Sequence, residues 1–293
     1  MAILGIDIGG TMIKVGFVHQ EQISQKKSFL TPKTFEEFQQ LLSQIVVEYA
    51  GIHPIDKVAF SVPGSVNESG TVFFGGAVPY LNEVSLADLL KLQKVKVVVE
   101  NDAKAATLGE MTYGHLKDVK QGAAIILGTG VGVGICMDGK LYKGNHFQAG
   151  EVSFMIRDRV ITGMDSFVGV GLSAVQLVKK LAEHLSAEND GKRVFEELAM
   201  AENAQAQEVL LNYCKEVATL CFNIQSLLDI EKIVIGGGIS QQACLIQTIQ
   251  TVYQGLFRVA PIIQKTLQPV TIEAAKFKAD ANLIGAAAKG VLQ

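Results

Sequence analysis

The feature that most constrains this sequence is an apolar strand followed by a glycine turn, and it occurs twice. The first copy, AILGIDIGGT, covers residues 2–11, and the second, AAIILGTGVGVG, covers residues 123–134. Each copy is an apolar run that leads into Gly and Thr, a pattern typical of a buried strand turning tightly into a hairpin. Because glycine has no Cβ, backbone N–H groups in such turns can gather around phosphate oxygens. The repeat therefore indicates an α/β protein with two phosphate-binding turns.

In the first copy a carboxylate precedes the glycines and a lysine follows them. We expect Asp7 near the metal and phosphate groups of a nucleotide, with Gly9, Gly10 and Thr11 donating to phosphate oxygens. A plain strand turn is the alternative, although two glycines and a threonine after a buried Asp favour phosphate contact. Lys14 lies in the next strand, where it could contact phosphate or be an ordinary edge charge.

The second copy is of the same kind but is not a dinucleotide fingerprint. The position that needs a third glycine in that fingerprint is Val133, and the sequence has no Walker lysine motif. A simple hairpin is the alternative. The likeness to the first turn favours a second phosphate-binding turn, for which the predicted contacts are Gly128, Thr129, Gly130 and Gly132.

Between the two turns, the run VVVEND places a carboxylate at the end of another apolar strand. Asn101 or Asp102 could simply cap the helix predicted to begin at Ala103. Phosphoryl transfer to a hydroxyl, however, requires one carboxylate that accepts the hydroxyl proton. Two phosphate turns together with Asp102 as a general base outline a phosphotransferase.

Two further loops carry residues of interest. Glu151 lies in a glycine-flanked loop, where it could bind substrate or be a solvated surface carboxylate. The run IVIGGGIS is a third strand that ends in glycines, and the bare backbone of Gly237 and Gly238 suits a nucleobase or ribose. Close helix–strand packing would also explain these two glycines.

Composition excludes several other classes of protein. The chain has 293 residues, 48% of them apolar and 19% charged, and its net charge is −3, which argues against a nucleic acid or anionic membrane partner. Four irregularly spaced cysteines are typical of reduced thiols in a cytosolic protein. With no signal peptide and no membrane-length apolar run, we expect a cytoplasmic protein.

The order of strand and helix signals predicts two domains of similar design. In the first half the predicted strands are 2–8, 12–18, 57–62 and 95–99, and the predicted helices are 34–49 and 103–113. In the second half the predicted strands are 123–127, 131–137 and 232–235, and the predicted helices are 173–185, 204–228, 243–257 and about 279–290. We predict an N-terminal domain over 1–117, with the C-terminal helix 279–293 packed on it, and a C-terminal domain over 118–278. The polar stretch 190–203 is predicted to be a surface connection.

Taken together, several motifs resemble the ROK (repressor, open reading frame, kinase) family of sugar kinases. They are DIGGTMIKVG, the Pro63-Gly64 turn, ENDAKAATLGE, LGTGVGVG, AGEVSF and IVIGGGIS, in this order over nearly the whole chain. The resemblance implies two actin-like, ribonuclease-H-like domains flanking a cleft that binds ATP, Mg²⁺ and a hexose. It also implies that Asp102 is the base. The other implied contacts are Gly64, Asn101 and Glu151 to the sugar, Gly9, Gly10, Thr11, Thr129 and Gly130 to phosphates, and Gly237 and Gly238 to adenosine.

Two departures from the family pattern refine this expectation. Many members carry Gly-His after the AGE-type motif, followed by a cysteine-rich zinc loop. Here Phe154 takes the histidine position and residues 157–165 contain no cysteine, so we expect no structural zinc. An apolar Phe154 could leave room for an aglycone or a second sugar ring. We therefore favour a β-glucoside kinase that phosphorylates the 6-hydroxyl of glucose units, as in cellobiose.

Other activities stay open at this point. Glucokinase and N-acetylmannosamine kinase are alternatives of the same class, and a sugar sensor without catalysis is a third. A DNA-binding repressor of the same family would need a helix-turn-helix before the first turn, and the first strand already begins at Ala2. Apolar helices in the second half could support a homodimer or could be core.

Overall fold

The computed structural model describes residues 2–91 and 94–292, and it divides into two compact units. The first unit runs to Asp118 and also includes Leu141–Ala149 and the residues from Ala279. The second comprises Val119–Lys140 and Gly150–Lys278. The segment Leu141–Ala149 thus belongs to the first unit although it lies inside the predicted second domain. Met1, Leu92, Gln93 and Gln293, which the predicted first domain includes, lie outside the described residues.

The first unit contains eight strands and four helices among its described residues. The strands are β1 (Ile3–Ile8), β2 (Met12–His19), β3 (Gln22–Leu30), β4 (Lys57–Val62), β5 (Ser65–Val66), β6 (Thr71–Phe73), β7 (Val84–Ser85) and β8 (Lys96–Asn101). The helices are α1 (Phe35–Ala50), α2 (Leu86–Leu89), α3 (Asp102–Tyr113) and the last helix of the chain, α10 (Ala281–Leu292), with a 3-10 turn at Pro79–Leu81.

The main sheet of the first unit has the strand order β3-β2-β1-β4-β8. β1 and β2 form the antiparallel hairpin, whereas β1, β4 and β8 run parallel, so their carboxyl ends share one edge. α10 packs on α3, where Gly285 approaches so closely that a Cβ would lie 1.6 Å from the Ala105 carbonyl oxygen. The last helix of the chain is therefore built into the first unit.

The second unit contains the remaining elements apart from β11 (Lys140–Tyr142) and the 3-10 turn Lys278–Asp280, each of which spans a boundary between the units. The strands are β9 (Gly122–Leu127), β10 (Val131–Met137), β12 (Lys232–Gly236) and β13 (Thr271–Ala274). The helices are α4 (Val168–Gly171), α5 (Ala174–Leu185), α6 (Gly191–Met200), α7 (Ala204–Leu228), α8 (Ala243–Phe257) and α9 (Pro261–Thr266). The 3-10 turns are Val152–Phe154, Met164–Ser166 and Gly238–Gln241, and a further one, Lys278–Asp280, precedes α10.

The sheet of the second unit repeats the scheme of the first. β10 and β9 are antiparallel, and β9, β12 and β13 are parallel in this order. The buried side chains of β9, β10 and β12 form one core with those of α5 to α8. Each unit thus has a hairpin that ends in a glycine turn beside parallel strands.

Several elements differ from the sequence-based expectation, for physical reasons. The polar stretch 190–203 is not a plain connection, because α6 forms there and buries Val194, Phe195 and Leu198 against the second core. The strand β3 was not predicted from the sequence because most of its residues are exposed at the sheet edge and show no apolar pattern. Thr34 caps α1, since its side chain accepts from the Glu37 N–H at 3.3 Å. Among the described residues no helix is long and apolar enough to cross a membrane.

Candidate active site

The first glycine turn is held by β3 and its continuation. The Gly9 N–H donates to the Met12 carbonyl at 3.0 Å and closes the turn. Thr31 braces the turn from the side, because its hydroxyl donates to the Gly9 carbonyl at 2.6 Å and its N–H donates to the Thr11 carbonyl at 3.0 Å. Gly10 and Thr11 are exposed, so a ligand can reach this part of the fixed turn.

Asp7 lies at the end of β1 as a buried carboxylate with three partners. Its Oδ1 accepts from Ser61 Oγ at 2.9 Å and from Asn282 Nδ2 at 3.0 Å, and its Oδ2 lies 3.8 Å from Lys14 Nζ. Burial raises the pKa of Asp7, whereas Lys14, Asn282 and Ser61 act in the opposite direction. Lys14 also donates to the Ala279 carbonyl at 3.3 Å, so it is both an ion-pair partner and a tether for the start of the last helix.

Asn101 and Asp102 form a rigid pair where β8 ends and α3 begins. The Asn101 side chain caps α3, since its Oδ1 accepts from the Lys104 N–H at 3.0 Å. Its Nδ2 donates to the Gly64 carbonyl at 3.0 Å and to Asp102 Oδ1 at 2.9 Å. Asp102 Oδ1 also accepts from the Ala103 N–H at 2.7 Å. The cap and the catalytic assignment are therefore compatible, because the residue that caps the helix also orients the carboxylate.

The second glycine turn, between β9 and β10, is fixed by backbone groups. The Gly128 N–H donates to the Gly130 carbonyl at 3.0 Å, and the Ala174 N–H at the start of α5 donates to the Gly128 carbonyl at 2.9 Å. Thr129, at the tip, is exposed. Gly132 lies beyond the turn, inside β10 and paired with Ile126, so it is part of the strand rather than of the turn.

The third glycine run lies against this second turn. Gly237 has a φ of +97°, and a Cβ there would lie 2.0 Å from the Leu127 carbonyl oxygen at the end of β9. A side chain is therefore excluded by both backbone conformation and space. A Cβ on Gly238, which is exposed, would meet nothing within 4 Å. Gly237 is thus required by the packing within the second unit, and Gly238 leaves an open backbone surface beside it.

Glu151 is carried by a turn that is joined to β10. Gly150 precedes it with a φ of +85°, and its carbonyl accepts from the Val133 N–H at 3.0 Å. Ser153 follows, and its hydroxyl accepts from the Val131 N–H at 3.0 Å and donates to the Val131 carbonyl at 2.9 Å. The turn that carries Glu151 is therefore fastened to the strand that begins directly after the second glycine turn.

The segment after this turn has an apolar surface. Phe154 is 68% exposed, and Ile156 and Met164 are also exposed. Arg157 fixes the segment to α7 through an ion pair with Glu216 at 2.6 Å. Among the residues that the structure describes, no group of three or more His, Cys, Asp or Glu side chains could hold a metal ion. The expectation of no structural zinc stays a prediction.

Each unit by itself offers groups that suit part of a nucleotide with its metal. Gly10 and Thr11 in the first unit, and Thr129 and Gly238 in the second, present exposed backbone or hydroxyl groups of the kind that bind phosphate and ribose. Mg²⁺ prefers oxygen ligands and waters, and Asp7 supplies a carboxylate at the end of β1. The donor chemistry therefore fits ATP and Mg²⁺.

Sequence reasoning missed the residues that hold the predicted ones in place. Ser61 and Asn282 bind Asp7 from positions far away in the chain. Ser153 joins the Glu151 turn to β10, and Thr31 braces the first turn. Only Asn282 had a usable signal, since it and Lys289 are the two polar side chains of the helix α10.

Comparison with known families decides the class of protein. The ROK family pattern matches residues 3–289, which is nearly the whole chain. This chain belongs to the ROK family. The resemblance stated from the motifs is therefore confirmed.

Two curated relatives are kinases that act on different sugars. The β-glucoside kinase of Listeria monocytogenes is 28% identical over 295 residues, covering 98% of this chain and 96% of that protein. The N-acetylmannosamine kinase of Vibrio cholerae is 32% identical over 252 residues, covering 82% of this chain and 84% of that protein.

Two solved structures share the fold over almost the full length. A ROK family protein from Streptococcus pneumoniae in complex with sucrose has a TM-score of 0.84 at 28% identity, covering 100% of this chain and 98% of that one. A ROK family glucokinase from Streptomyces griseus in complex with glucose and AMPPNP has a TM-score of 0.81 at 25% identity, covering 98% of both chains. The predicted two-domain actin-like fold is thereby confirmed, and the chain is an ATP-dependent sugar kinase.

Proposed function

We propose that this kinase phosphorylates the 6-hydroxyl of a glucose unit in β-glucosides such as cellobiose, with ATP as the donor and Mg²⁺ as the metal. The observation that carries the catalytic part is the arrangement of Asp102, whose Oδ1 is fixed by the Asn101 amide and the Ala103 N–H. A carboxylate held in this way accepts a proton without first having to be oriented.

In the proposed reaction the sugar O6 forms a bond to the γ-phosphorus while the bond from that phosphorus to the β–γ bridging oxygen breaks. Asp102 takes the proton of the 6-hydroxyl, and ADP leaves with the bridging oxygen. Asn101 positions Asp102 and contacts the sugar together with Gly64 and Glu151. Bound Mg²⁺ neutralises charge on the phosphates.

The phosphate contacts of this proposal come from both glycine turns. Gly9, Gly10 and Thr11 donate in the first unit, with Asp7 and Lys14 behind them. In the second unit Gly128, Thr129 and Gly130 donate to phosphate, with Gly132 next in the strand, while Gly237 and Gly238 face adenosine. The exposed Gly10, Thr11, Thr129 and Gly238 support this assignment.

The preference for β-glucosides rests on Phe154 and on the Listeria relative. Phe154 is exposed and lies three residues after Glu151, so an apolar ring borders the proposed sugar contact. Aromatic surfaces suit the apolar face of a second sugar ring or an aryl aglycone. N-acetylmannosamine is the competing substrate, because the relative from Vibrio cholerae is 32% identical.

The decisive assay measures ADP release with cellobiose, an aryl β-glucoside, glucose and N-acetylmannosamine, and identifies the phosphorylated carbon by NMR. The Asp102→Asn variant is expected to lose at least about 10²-fold in kcat while it still binds sugar. Asp118→Asn is the matched control, since Asp118 is exposed and has a positive φ that Asn tolerates.

Each outcome separates one part of the proposal from another. If the enzyme phosphorylates β-glucosides at C6 and Asp102→Asn abolishes this activity, both Asp102 as the base and the β-glucoside as the substrate are supported. Turnover on N-acetylmannosamine or glucose alone retains the kinase and overturns the β-glucoside preference. Sugar binding without ADP release on any substrate identifies a sensor instead of a catalyst.

A further inference from the structure

A cavity of about 580 Å³ lies in the first unit, apart from the residues assigned above to catalysis. Its volume is within the range of about 300–1,000 Å³ that is usual for small-molecule sites. The lining combines two lysines, two aromatic rings, an amide and a carboxylate. These residues are Lys143, Lys289, Tyr142, Phe147, Asn145 and Glu68.

The two lysines share a single buried carboxylate. Lys143 Nζ lies 2.6 Å and Lys289 Nζ lies 3.0 Å from the same oxygen, Oε2 of Glu100. The side chain of Glu100 is only 1% exposed, and that of Lys289 is 11% exposed. Two ammonium groups and one carboxylate give this triad a formal charge of +1, with Glu100 and Lys289 largely shielded from water and the Lys143 side chain 25% exposed.

An excess positive charge with little water around it is costly unless an anion compensates it. Burial lowers the pKa of Lys289, while the carboxylate of Glu100 acts in the opposite direction. An anion entering the cavity would offset the positive charge of the two ammonium groups and would gain charge-assisted hydrogen bonds from them. The walls of the cavity therefore favour a negatively charged group at its lysine side.

The other lining groups describe the rest of such a ligand. Tyr142, which is 52% exposed, and Phe147 offer apolar ring surface, and Asn145 offers an amide that can both donate and accept. Glu68 is an exposed carboxylate that accepts from hydroxyls and repels phosphate. A ligand with a phosphate at one end and several hydroxyls at the other satisfies both sides of the cavity.

We propose that this cavity, formed by Lys143, Lys289, Tyr142, Asn145, Phe147 and Glu68, is a binding site for a phosphorylated sugar, with the phosphate on the two lysines. The site is additional to the proposed active site, and its occupant belongs to the chemical class of the product of a sugar kinase.

The same triad connects the cavity to the pair Asn101–Asp102. The second oxygen of Glu100, Oε1, accepts from the Asn101 N–H at 3.1 Å. A phosphate that draws Lys143 and Lys289 away from Glu100 changes the charge next to the residue that orients Asp102. Occupancy of the cavity is therefore expected to alter kcat without competition with the sugar substrate.

The binding test uses isothermal titration calorimetry on the full chain with saturating AMPPNP, and glucose 6-phosphate, glucose and inorganic phosphate as probes. We expect glucose 6-phosphate to bind with at least about tenfold higher affinity than inorganic phosphate, and Lys143→Met to weaken it by about tenfold or more. Lys143→Arg is expected to retain binding. Lys96→Met, an exposed lysine on the same strand as Glu100, is the matched control and is expected to change nothing.

The results that overturn the proposal are equally specific. If glucose 6-phosphate binds no more tightly than inorganic phosphate or glucose, the cavity does not bind both the phosphate and the sugar part of the ligand, and the proposal is wrong. Affinity unchanged by Lys143→Met overturns the cavity as the binding site, and affinity lost in a Thr11→Val variant places the binding at the first glycine turn instead. Inhibition of turnover that is competitive with the sugar and insensitive to Lys143→Met overturns the connection to Asn101. Thermal unfolding of each variant shows whether it is folded, and these outcomes do not depend on which sugar is phosphorylated.

Discussion

After β1, the turn Gly9–Thr11 has a buried carboxylate two residues before it, whereas after β9 the turn Gly128–Gly130 follows an apolar strand end. Backbone N–H groups take part in fixing both turns. Asp7 in the first unit has Lys14 at 3.8 Å and two neutral donors on its Oδ1. In the corresponding strand of the second unit the residue just before the turn is Leu127, whose carbonyl packs against Gly237. Two nearly equal sequence patterns thus lead to one charged turn and one turn built from backbone and hydroxyl groups.

This difference indicates that the two glycine turns have different roles in binding the nucleotide. A triphosphate with its bound metal needs charged protein groups that bind the metal and balance the phosphate charge. The first turn supplies the Asp7 carboxylate and the Lys14 ammonium group for this. The second turn can hold phosphate oxygens by N–H groups and the Thr129 hydroxyl. Substitutions at the charged turn should therefore affect catalysis, and substitutions at the backbone turn should affect folding and nucleotide affinity.

The largest effect is expected at Asp7. Asp7→Asn keeps an oxygen that can accept from Ser61 and Asn282, but it removes the negative charge, so kcat should fall by about 10² or more. Because burial raises the pKa of Asp7, ionisation of its carboxyl costs stability as pH rises through that pKa. The variant should therefore be no less stable than the parent at pH 7, measured by urea unfolding.

The pH dependence provides the control for Asp7. The parent gains stability as pH falls from the raised folded-state pKa of Asp7 toward the ordinary value of 3.8, and this part of the gain should be absent in Asp7→Asn. An Asp7→Asn enzyme with the kcat of the parent contradicts a catalytic role for this charge, and a variant that is destabilised at pH 7 contradicts the stability cost of ionising the buried carboxyl.

The second effect concerns the glycines beside the backbone turn, where the chain contains its own matched control. Gly237→Ala forces a side chain into a positive φ and against the Leu127 carbonyl, at a cost of at least about 2 kcal/mol in the free energy of unfolding. Gly238→Ala meets nothing within 4 Å and should leave unfolding nearly unchanged while it alters the KM for ATP. Equal unfolding free energies for both variants would refute the close packing.

The sequence alone predicts some strands and helices of the two units and not others. The glycine turns, the flanking strands and the helix after Asp102 follow from local periodicity and turn chemistry, and the structure contains all of them. The sequence did not predict α6, because its three buried apolar residues lie among charged residues in a stretch with polar ends. β3 did not follow either, since a strand that is exposed at a sheet edge needs no alternating apolar pattern.

The supporting contacts of the site were beyond sequence reasoning for a different reason. Asp7 and Asn282 are separated by 275 residues, and Glu100 and Lys289 by 189. No local pattern specifies such partners, because they meet only after α10 packs on the first unit. The proposed catalytic pair could be selected from the sequence, since Asn101 and Asp102 lie within one strand–helix junction.

The smallest effect compares the two braces, Thr31 at the charged turn and Ser153 at the backbone turn. Ser153→Ala removes two hydrogen bonds to Val131, and Thr31→Val removes the one from its hydroxyl to the Gly9 carbonyl. If about 1 kcal/mol of the lost bonding energy reaches the turn in each case, either change should raise the KM for ATP by about fivefold. If the two turns have these different roles, Thr31→Val should also lower kcat, because it loosens the turn beside Asp7. Ser153→Ala should leave kcat close to the parent value. Steady-state kinetics with varied ATP separates the two, and a fall in kcat for Ser153→Ala alone would reverse the assignment of the two turns.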